Sequence, residues 1–208
     1  MSDADKPTTE AKAFKSLIEE KIQGLVDEFA EGKISREQFH ILYERYSSRL
    51  AIANQALISG NPEAIQIAQS GPPTVLVRDT YQGKAQGMAI YHNKRGNILE
   101  TLGNFEVPVQ RVVAVLKTFS DTMARGDMVE RHLEKLDGQK WLLFAPGQYS
   151  TVVTLFLNEP AATQIREVER LQHDFEQANY AFLTKDTVDG KQLAYPFVIF
   201  VKRWTEKK

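Results

Sequence analysis

Residues 131–157 read RHLEKLDGQKWLLFAPGQYSTVVTLFL, and this stretch decides the fold. Asp137-Gly138 between two strand-prone runs is a strong signal for a hairpin with a two-residue loop, because both residue types tolerate the backbone angles of a tight turn. Pro146-Gly147 suits the central positions of a second tight turn. The stretch therefore predicts three consecutive antiparallel strands, at Arg131–Leu136, Gln139–Ala145 and Thr151–Leu157.

The last of these strands is apolar on both faces. Successive side chains of a strand point to opposite sides, so Val152 and Phe156 share one face while Val153 and Leu155 share the other. A strand that buries both faces lies centrally in a sheet that is covered on both sides. We expect one layer of helices over one face and a further element over the other.

The segments on either side of this stretch extend the pattern. Gln86–His92 and Asn97–Gly103 alternate as strands around the turn Asn93–Gly96, whose residue types tolerate a positive φ. An amphipathic helix with a wide apolar stripe follows Pro108. Asn158–Pro160 combines a capping asparagine with an early proline and predicts the start of a second long helix. The predicted order is strand, strand, helix, strand, strand, strand, helix.

The N-terminal part predicts a hairpin of two helices over residues 10–58. Ser35 and Gln38 have the spacing of a capping box at the start of the second helix. The apolar seam of that helix alternates spacings of four and three, as in a coiled coil. It consists of Phe39, Tyr43, Tyr46, Leu50, Ala53 and Leu57. Two helices alone have too little core to be stable, so the seam packs either on the rest of this chain or on a second copy in a four-helix bundle.

Composition divides the chain into four segments. Residues 1–9 are small and polar, and we expect them to form a disordered tail before the hairpin at 10–58. Residues 59–73 are rich in glycine and proline and predict a linker. Residues 74–204 predict an α+β domain that opens with a strand at Thr74–Arg78 and ends with a strand or an extended arm at Tyr195–Val201. The predicted fold class is α+β: an antiparallel sheet of five to six strands with flanking helices, preceded by an α-helical hairpin.

This order of elements resembles the roadblock family and its longin-like, profilin-like relatives. Their domain is a five-stranded antiparallel sheet with helices, in the order helix, two strands, helix, three strands, helix. Residues 35–183 fit that order if the second N-terminal helix supplies the first one. The segment 59–85 and the run 194–204 depart from it.

The resemblance implies a dimerising module that binds a partner protein and has no catalytic centre of its own. In that family the partner is often a small GTPase or its scaffold. We therefore expect a homodimer and a protein partner from the resemblance, together with a regulatory or scaffolding role.

Composition excludes several other classes of function. A formal net charge of −1 gives no broad attraction for nucleic acid or an anionic membrane, so we expect no nucleic-acid partner. The absence of cysteine excludes disulfides, thiolate nucleophiles and cysteine-ligated metals. No segment approaches the ~20 apolar residues of a membrane span, and the polar start of the chain is unlike a signal peptide. These features favour a cytoplasmic protein.

No cluster of residues in the sequence indicates a reaction. His40, His92, His132 and His173 lack the spacing of metal ligands. Phosphate-binding loops and nucleophile elbows do not occur. We expect no catalytic residue, no cofactor and no metal, while groups scattered along the chain can still converge in the fold, which leaves an enzyme open.

Two features are candidates for binding. Lys94 and Arg95 beside Gly96 form a candidate anion contact, in which backbone amides and two cations hold the anion; the alternative is a solubilising turn. The surplus of apolar faces on the helices and strands favours a non-enzymatic regulatory protein that self-associates. The candidate partner or dimer surface consists of Phe39, Tyr43, Tyr46, Leu50, Val112, Leu116, Phe119, Val129 and Leu133.

A small-molecule sensor is the alternative function. Small sheet-and-helix domains often enclose an apolar pocket, and aromatic side chains of the strands and the last helix are candidates for its lining. These are Trp141, Phe144, Phe156, Phe175 and Tyr180. In a packed core the same residues fill space.

Overall fold

A computed structural model describes residues 5–59, 74–185 and 187–197 of the chain. These residues form two compact units that divide at Gln82/Gly83. The first unit is helical. The second holds an antiparallel sheet of five strands with helices on it, which confirms the predicted fold class.

The helical unit is built on the predicted hairpin. Helix α1 spans Asp5–Ala30 and helix α2 spans Arg36–Ser59. The predicted capping box is present, since Ser35 Oγ accepts the Gln38 N–H at 3.1 Å and the Gln38 side chain accepts the Ser35 N–H at 3.4 Å. Because α1 begins at Asp5, residues 5–9 are helical rather than part of a disordered tail. Pro7 is tolerated in the first turn, where a backbone N–H would have no intrahelical acceptor and its absence costs nothing.

A third helix, α3, spans Thr74–Thr80 where a strand was predicted. Only one apolar side chain of the predicted strand, Val77, packs inward, against the cluster of Leu25, Ile34 and Leu42. The Gln38 side chain also donates to the Arg78 carbonyl at 2.9 Å. This packing on the hairpin outweighs the strand preference of the sequence, so α3 belongs to the helical unit and the boundary lies after it rather than at residue 74.

The sheet unit follows the predicted order of elements. Strands β1 and β2 span Lys84–His92 and Ile98–Gly103, helix α4 spans Val109–Ala124, and strands β3, β4 and β5 span His132–Lys135, Lys140–Pro146 and Ser150–Leu157. Helix α5 spans Ala162–Leu183 and a short 3₁₀ turn spans Gly190–Gln192. All strand pairs are antiparallel, and the order across the sheet is β2-β1-β5-β4-β3.

Strand β5 is central, as predicted, and each face of the sheet carries one helix. Val152 and Phe156 pack in the same cluster as residues of α5, including Phe175. Val153 and Leu155 pack in the cluster that contains α4 residues. The expectation of one helical layer with a different element opposite is therefore wrong, because α4 and α5 cover opposite faces.

The predicted β3–β4 hairpin and the predicted start of the last long helix both differ in detail from the structure. The β3–β4 hairpin is confirmed, with Gly138 at a φ of 72°, but its loop has three residues because the Leu136 N–H donates to the Lys140 carbonyl. Asn158 does not cap α5: it has a φ of 63° and donates its N–H to the Gln139 carbonyl at 2.6 Å, so it ends the sheet. Helix α5 begins later, where the Gln164 side chain accepts the Ala161 N–H at 2.8 Å.

The segment after α5 packs on the sheet unit as far as it is described. Phe197 is fully buried, with its ring centroid 5.6 Å from that of Phe175. The strand or arm predicted at Tyr195–Val201 extends into residues 198–208, which lie outside the described residues. The described part of it folds onto its own unit.

Glu176 of α5 fixes the β4–β5 turn. Its carboxylate accepts the N–H groups of Gln148, Tyr149 and Ser150 at 2.7–3.0 Å and the Ser150 hydroxyl at 3.0 Å. The turn is consequently centred on Gln148 and Tyr149, with the Gly147 N–H donating to the Ser150 carbonyl, rather than on Pro146-Gly147 as predicted. A carboxylate that accepts several N–H groups is a strong local restraint.

We predict that Glu176→Ala lowers the free energy of unfolding of the sheet unit by about 2–3 kcal/mol, because it leaves several backbone donors without an acceptor. Glu176→Gln keeps one acceptor oxygen and is expected to cost less. The exposed Asp174 on the same helix is the control, and Asp174→Ala should stay within about 0.5 kcal/mol of wild type. Urea denaturation measures all three variants. Equal losses of unfolding free energy for Asp174→Ala and Glu176→Ala would show that Glu176 does not stabilise the turn.

Tyr195 should lower the free energy of unfolding of the sheet unit at alkaline pH. Its hydroxyl donates to the Gly190 carbonyl at 2.7 Å, and burial, with the charges of Glu100 and Asp189, raises its pKa from 10.0 to about 12. A raised tyrosine pKa means that the folded state favours the protonated form. The stability from this preference is complete below pH 10 and is lost as the pH rises from 10 towards 12.

We therefore predict that the unfolding free energy of wild type falls more steeply than that of Tyr195→Phe across this window. The phenylalanine variant loses the hydrogen bond but has no group to ionise there. Denaturation curves at a series of alkaline pH values measure the difference in unfolding free energy between the two proteins. The other tyrosines are present in both, so their titration cancels in this difference. Parallel pH profiles for the two proteins would show that Tyr195 does not titrate in this way.

Candidate functional site

Helix α4 has an inner face that belongs to the core. Val112 is 1% exposed and Phe119 is 8% exposed, and both pack against Leu142 and Phe144 of β4. The ring centroids of Phe119 and Phe144 lie 6.2 Å apart in an edge arrangement. The structure thus places Val112 and Phe119 under the helix, so these two members of the candidate partner surface are not available to a partner.

The outer face of α4 carries the apolar surface instead. Val109 is 68% exposed, Val113 is 53% exposed, and Leu116 is half-buried. Helical spacing aligns these three residues, which we call the α4 stripe. The apolar pattern of the helix is wider than one core face needs, and this excess width was the signal for Val109 and Val113 that sequence reasoning did not use.

Val129 and Leu133 are both half-buried and pack against the core, on opposite faces of the sheet. Val129 is half-buried against the α4 side of the sheet, and Leu133 is half-buried against the α5 side. Leu133 belongs to β3, which pairs with β4 and forms one edge of the sheet. An edge strand leaves backbone N–H and carbonyl groups on its outer side, and these can pair with another chain.

The predicted seam of α2 is only partly the buried face of the helix. Ala53 is fully buried, as the seam predicts. At the start of the helix, however, Leu42 is buried at 2% exposure, whereas the predicted Tyr43 is 42% exposed. Phe39, Tyr46 and Leu50 are half-buried. The four-three spacing predicts Tyr43 in the seam, but Leu42 packs between the helices instead, in one cluster with Leu25 of α1.

An aromatic stack forms at one end of the hairpin. The ring of Phe39 lies 4.6 Å from that of Phe29 and 5.5 Å from that of Tyr43, measured between centroids. Phe29 and Tyr43 each keep about 40% of their surface exposed. The helical unit therefore has a partly exposed aromatic patch of its own, formed by Phe29, Phe39 and Tyr43.

The candidate anion contact lies beside a groove of the sheet unit. Lys94 and Arg95 are exposed on the β1–β2 turn, where Gly96 has a φ of 67° that glycine adopts without strain. A cavity of about 320 Å³ separates this turn from α4, and its lining includes Lys117. The structure thus brings together three cations from two elements, a combination that sequence spacing did not predict.

The residues predicted to line a sensor pocket do not share one space. Phe144 packs on the α4 side of the sheet, whereas Trp141, Phe156 and Phe175 pack on the α5 side. Tyr180 is 58% exposed. These side chains fill two separate cores, and the aromatic cluster gives no geometric basis for a ligand pocket.

The titratable groups show no concentrated site within the described ranges. No group of three or more His, Asp or Glu side chains in them is placed to hold a metal ion. His132 and His173 are exposed and have polar neighbours in Glu134 and Gln177 at 3.3 and 2.8 Å. Burial raises the pKa of Tyr91, which stays protonated at neutral pH.

Comparison with known proteins gives no relative for this chain. No family model, no curated protein and no solved structure matches it. The helices of the described part also include none that is both long and apolar enough to cross a membrane.

The assignment of the two α4 faces predicts a contrast between adjacent valines. Val112→Ala should lower the free energy of unfolding by about 2 kcal/mol, since it removes two buried methyl groups and leaves a cavity. Val113→Ala should change it by less than about 0.5 kcal/mol, because the side chain is exposed and alanine favours a helix. Urea denaturation compares the two variants, and a larger loss for Val113→Ala would reverse the assignment.

Proposed function

We propose that this protein is a non-enzymatic regulatory or scaffolding protein that acts through homodimerisation and through binding of another protein. The observation that carries the proposal is the α4 stripe. Its two valines, Val109 and Val113, keep more than half of their surface exposed, although the opposite face of the same helix packs on the sheet. Exposed apolar surface of this kind is typical of interaction sites when it is contiguous.

The neighbouring edge of the sheet supports the same role. Strand β3 has four residues and pairs on one side with β4. Arg111 of α4 lies 4.0 Å from Glu134 of β3, which places the helix beside that edge. Beside an apolar helix face, a strand edge that pairs with no further strand of the described residues offers a second copy both side-chain and backbone contacts.

The kind of partner is suggested by the order of elements alone. The sheet unit contains two strands, a helix, three strands and a helix, as in the roadblock and longin-like proteins that the sequence resembles. A small GTPase is the partner that this resemblance suggests. A role in the cytoplasm belongs to the same proposal.

We predict that the wild-type chain sediments as a dimer, with twice its mass of 23.6 kDa, at tens of micromolar. The double variant Val109→Asp/Val113→Asp should weaken the dimer by about tenfold or more, because it buries charge at an apolar contact. The matched control, Ala162→Asp/Ala178→Asp, adds the same charge to exposed positions of α5 and should remain a dimer. Sedimentation equilibrium measures all three.

A wild-type monomer at these concentrations would refute self-association. Equal dimerisation of the wild type, the α4 variant and the α5 control would instead show that the dimer uses another surface. Binding of the other proposed partner is tested by affinity purification. Wild type should recover a small GTPase, and Val109→Asp/Val113→Asp should recover less of it.

A further inference from the structure

The groove between the β1–β2 turn and α4 combines an apolar floor with a cationic rim. Val113 and Leu116 of α4 form much of the floor, above the buried ring of Phe119. Lys94 and Arg95 stand on the turn side and Lys117 on the helix side. The cavity measures about 320 Å³ and lies wholly within the sheet unit.

The charges around the groove are not balanced within it. Arg95 and Lys117 form no ion pair with any residue that the structure describes. The acidic side chain in the lining, Asp121, lies one helical turn beyond Lys117. Arg95 and Lys117, set against this one carboxylate, leave a local excess of positive charge, although the chain as a whole carries −1.

An amphipathic occupant satisfies both parts of this surface. An apolar side chain can cover Val113 and Leu116, which removes apolar area from water. Carboxylates beside it can lie near the cationic rim, where charge complementarity favours a specific partner and speeds its association. Apolar centres with charged or polar rims are characteristic of protein interfaces.

The shape of the groove favours a protein segment over a small molecule. Small-molecule pockets bury about 70–90% of their ligand. Here the floor is part of an exposed helix face, with Val113 itself 53% exposed, so a small ligand would keep much of its surface in water. A segment that continues beyond the groove can add contacts along the α4 stripe.

We propose that this groove binds a segment of a partner protein in which an apolar side chain is flanked by carboxylates. The proposal rests on the proposed function as a protein-binding module, and it adds the chemistry of the partner. In this proposal the candidate anion contact, Lys94 and Arg95, lies near the carboxylates of the partner segment.

Selection from a display library of random short peptides on the full-length protein tests this proposal. The enriched peptides should carry Asp or Glu next to an apolar residue. The variant Arg95→Glu/Lys117→Glu should bind them about tenfold more weakly or worse, because two attractive contacts become repulsive. The matched control Arg170→Glu/Lys191→Glu makes the same charge change at exposed positions outside the groove and should bind them as wild type does.

Enriched peptides without an excess of acidic residues would overturn the proposal, as would equal binding to wild type and the groove variant, or no enrichment at all. Sedimentation of the groove variant separates this test from that of the proposed function. If Arg95→Glu/Lys117→Glu abolishes the dimer, the groove is occupied by a second copy and the proposed acidic segment is wrong. If wild type is a monomer but acidic peptides bind the groove, self-association fails and the groove proposal stands.

Discussion

The burial of β5 on both faces is the constraint on which the sheet unit depends. Ser150–Phe156 is buried throughout, and its side chains alternate between two cores. A single helical layer would leave one of these cores open to water, so the fold requires α4 on one face and α5 on the other. Glu176 links α5 to this strand, since its carboxylate accepts N–H groups of the turn that leads into β5.

The same constraint determines which surfaces remain for function. Among the described residues, α4 is the helix on its face of the sheet, so its inner side packs Val112 and Phe119 against the strands and its outer side is exposed. That outer side is nevertheless apolar at Val109 and Val113, and it adjoins the cationic β1–β2 turn. Binding through an apolar stripe with a charged neighbour is a function that this arrangement supports without a reaction centre.

Elements defined by local signals were predictable from the sequence. The Asp137-Gly138 hairpin and the capping box at Ser35 depend on residues close together in the chain. The errors came where distant contacts decide the outcome. Thr74–Thr80 is helical because it packs on the hairpin. Val112 is buried because its side of α4 meets the sheet, and the wide apolar pattern of the helix does not show which side that is. The charged groove had no signal in local spacing, since Lys117 and Arg95 line one groove only because the fold places α4 beside the β1–β2 turn.

Amide hydrogen exchange at a low and a high protein concentration would show whether the outer face of α4 is the surface through which two copies of this protein meet. Exchange reports local opening and protection element by element. If it is, amides of Val109–Ala124 exchange more slowly at high concentration while those of Ala162–Leu183 are unchanged. Exchange that is independent of concentration throughout the chain, or protection that develops on α5 in place of α4, would contradict it.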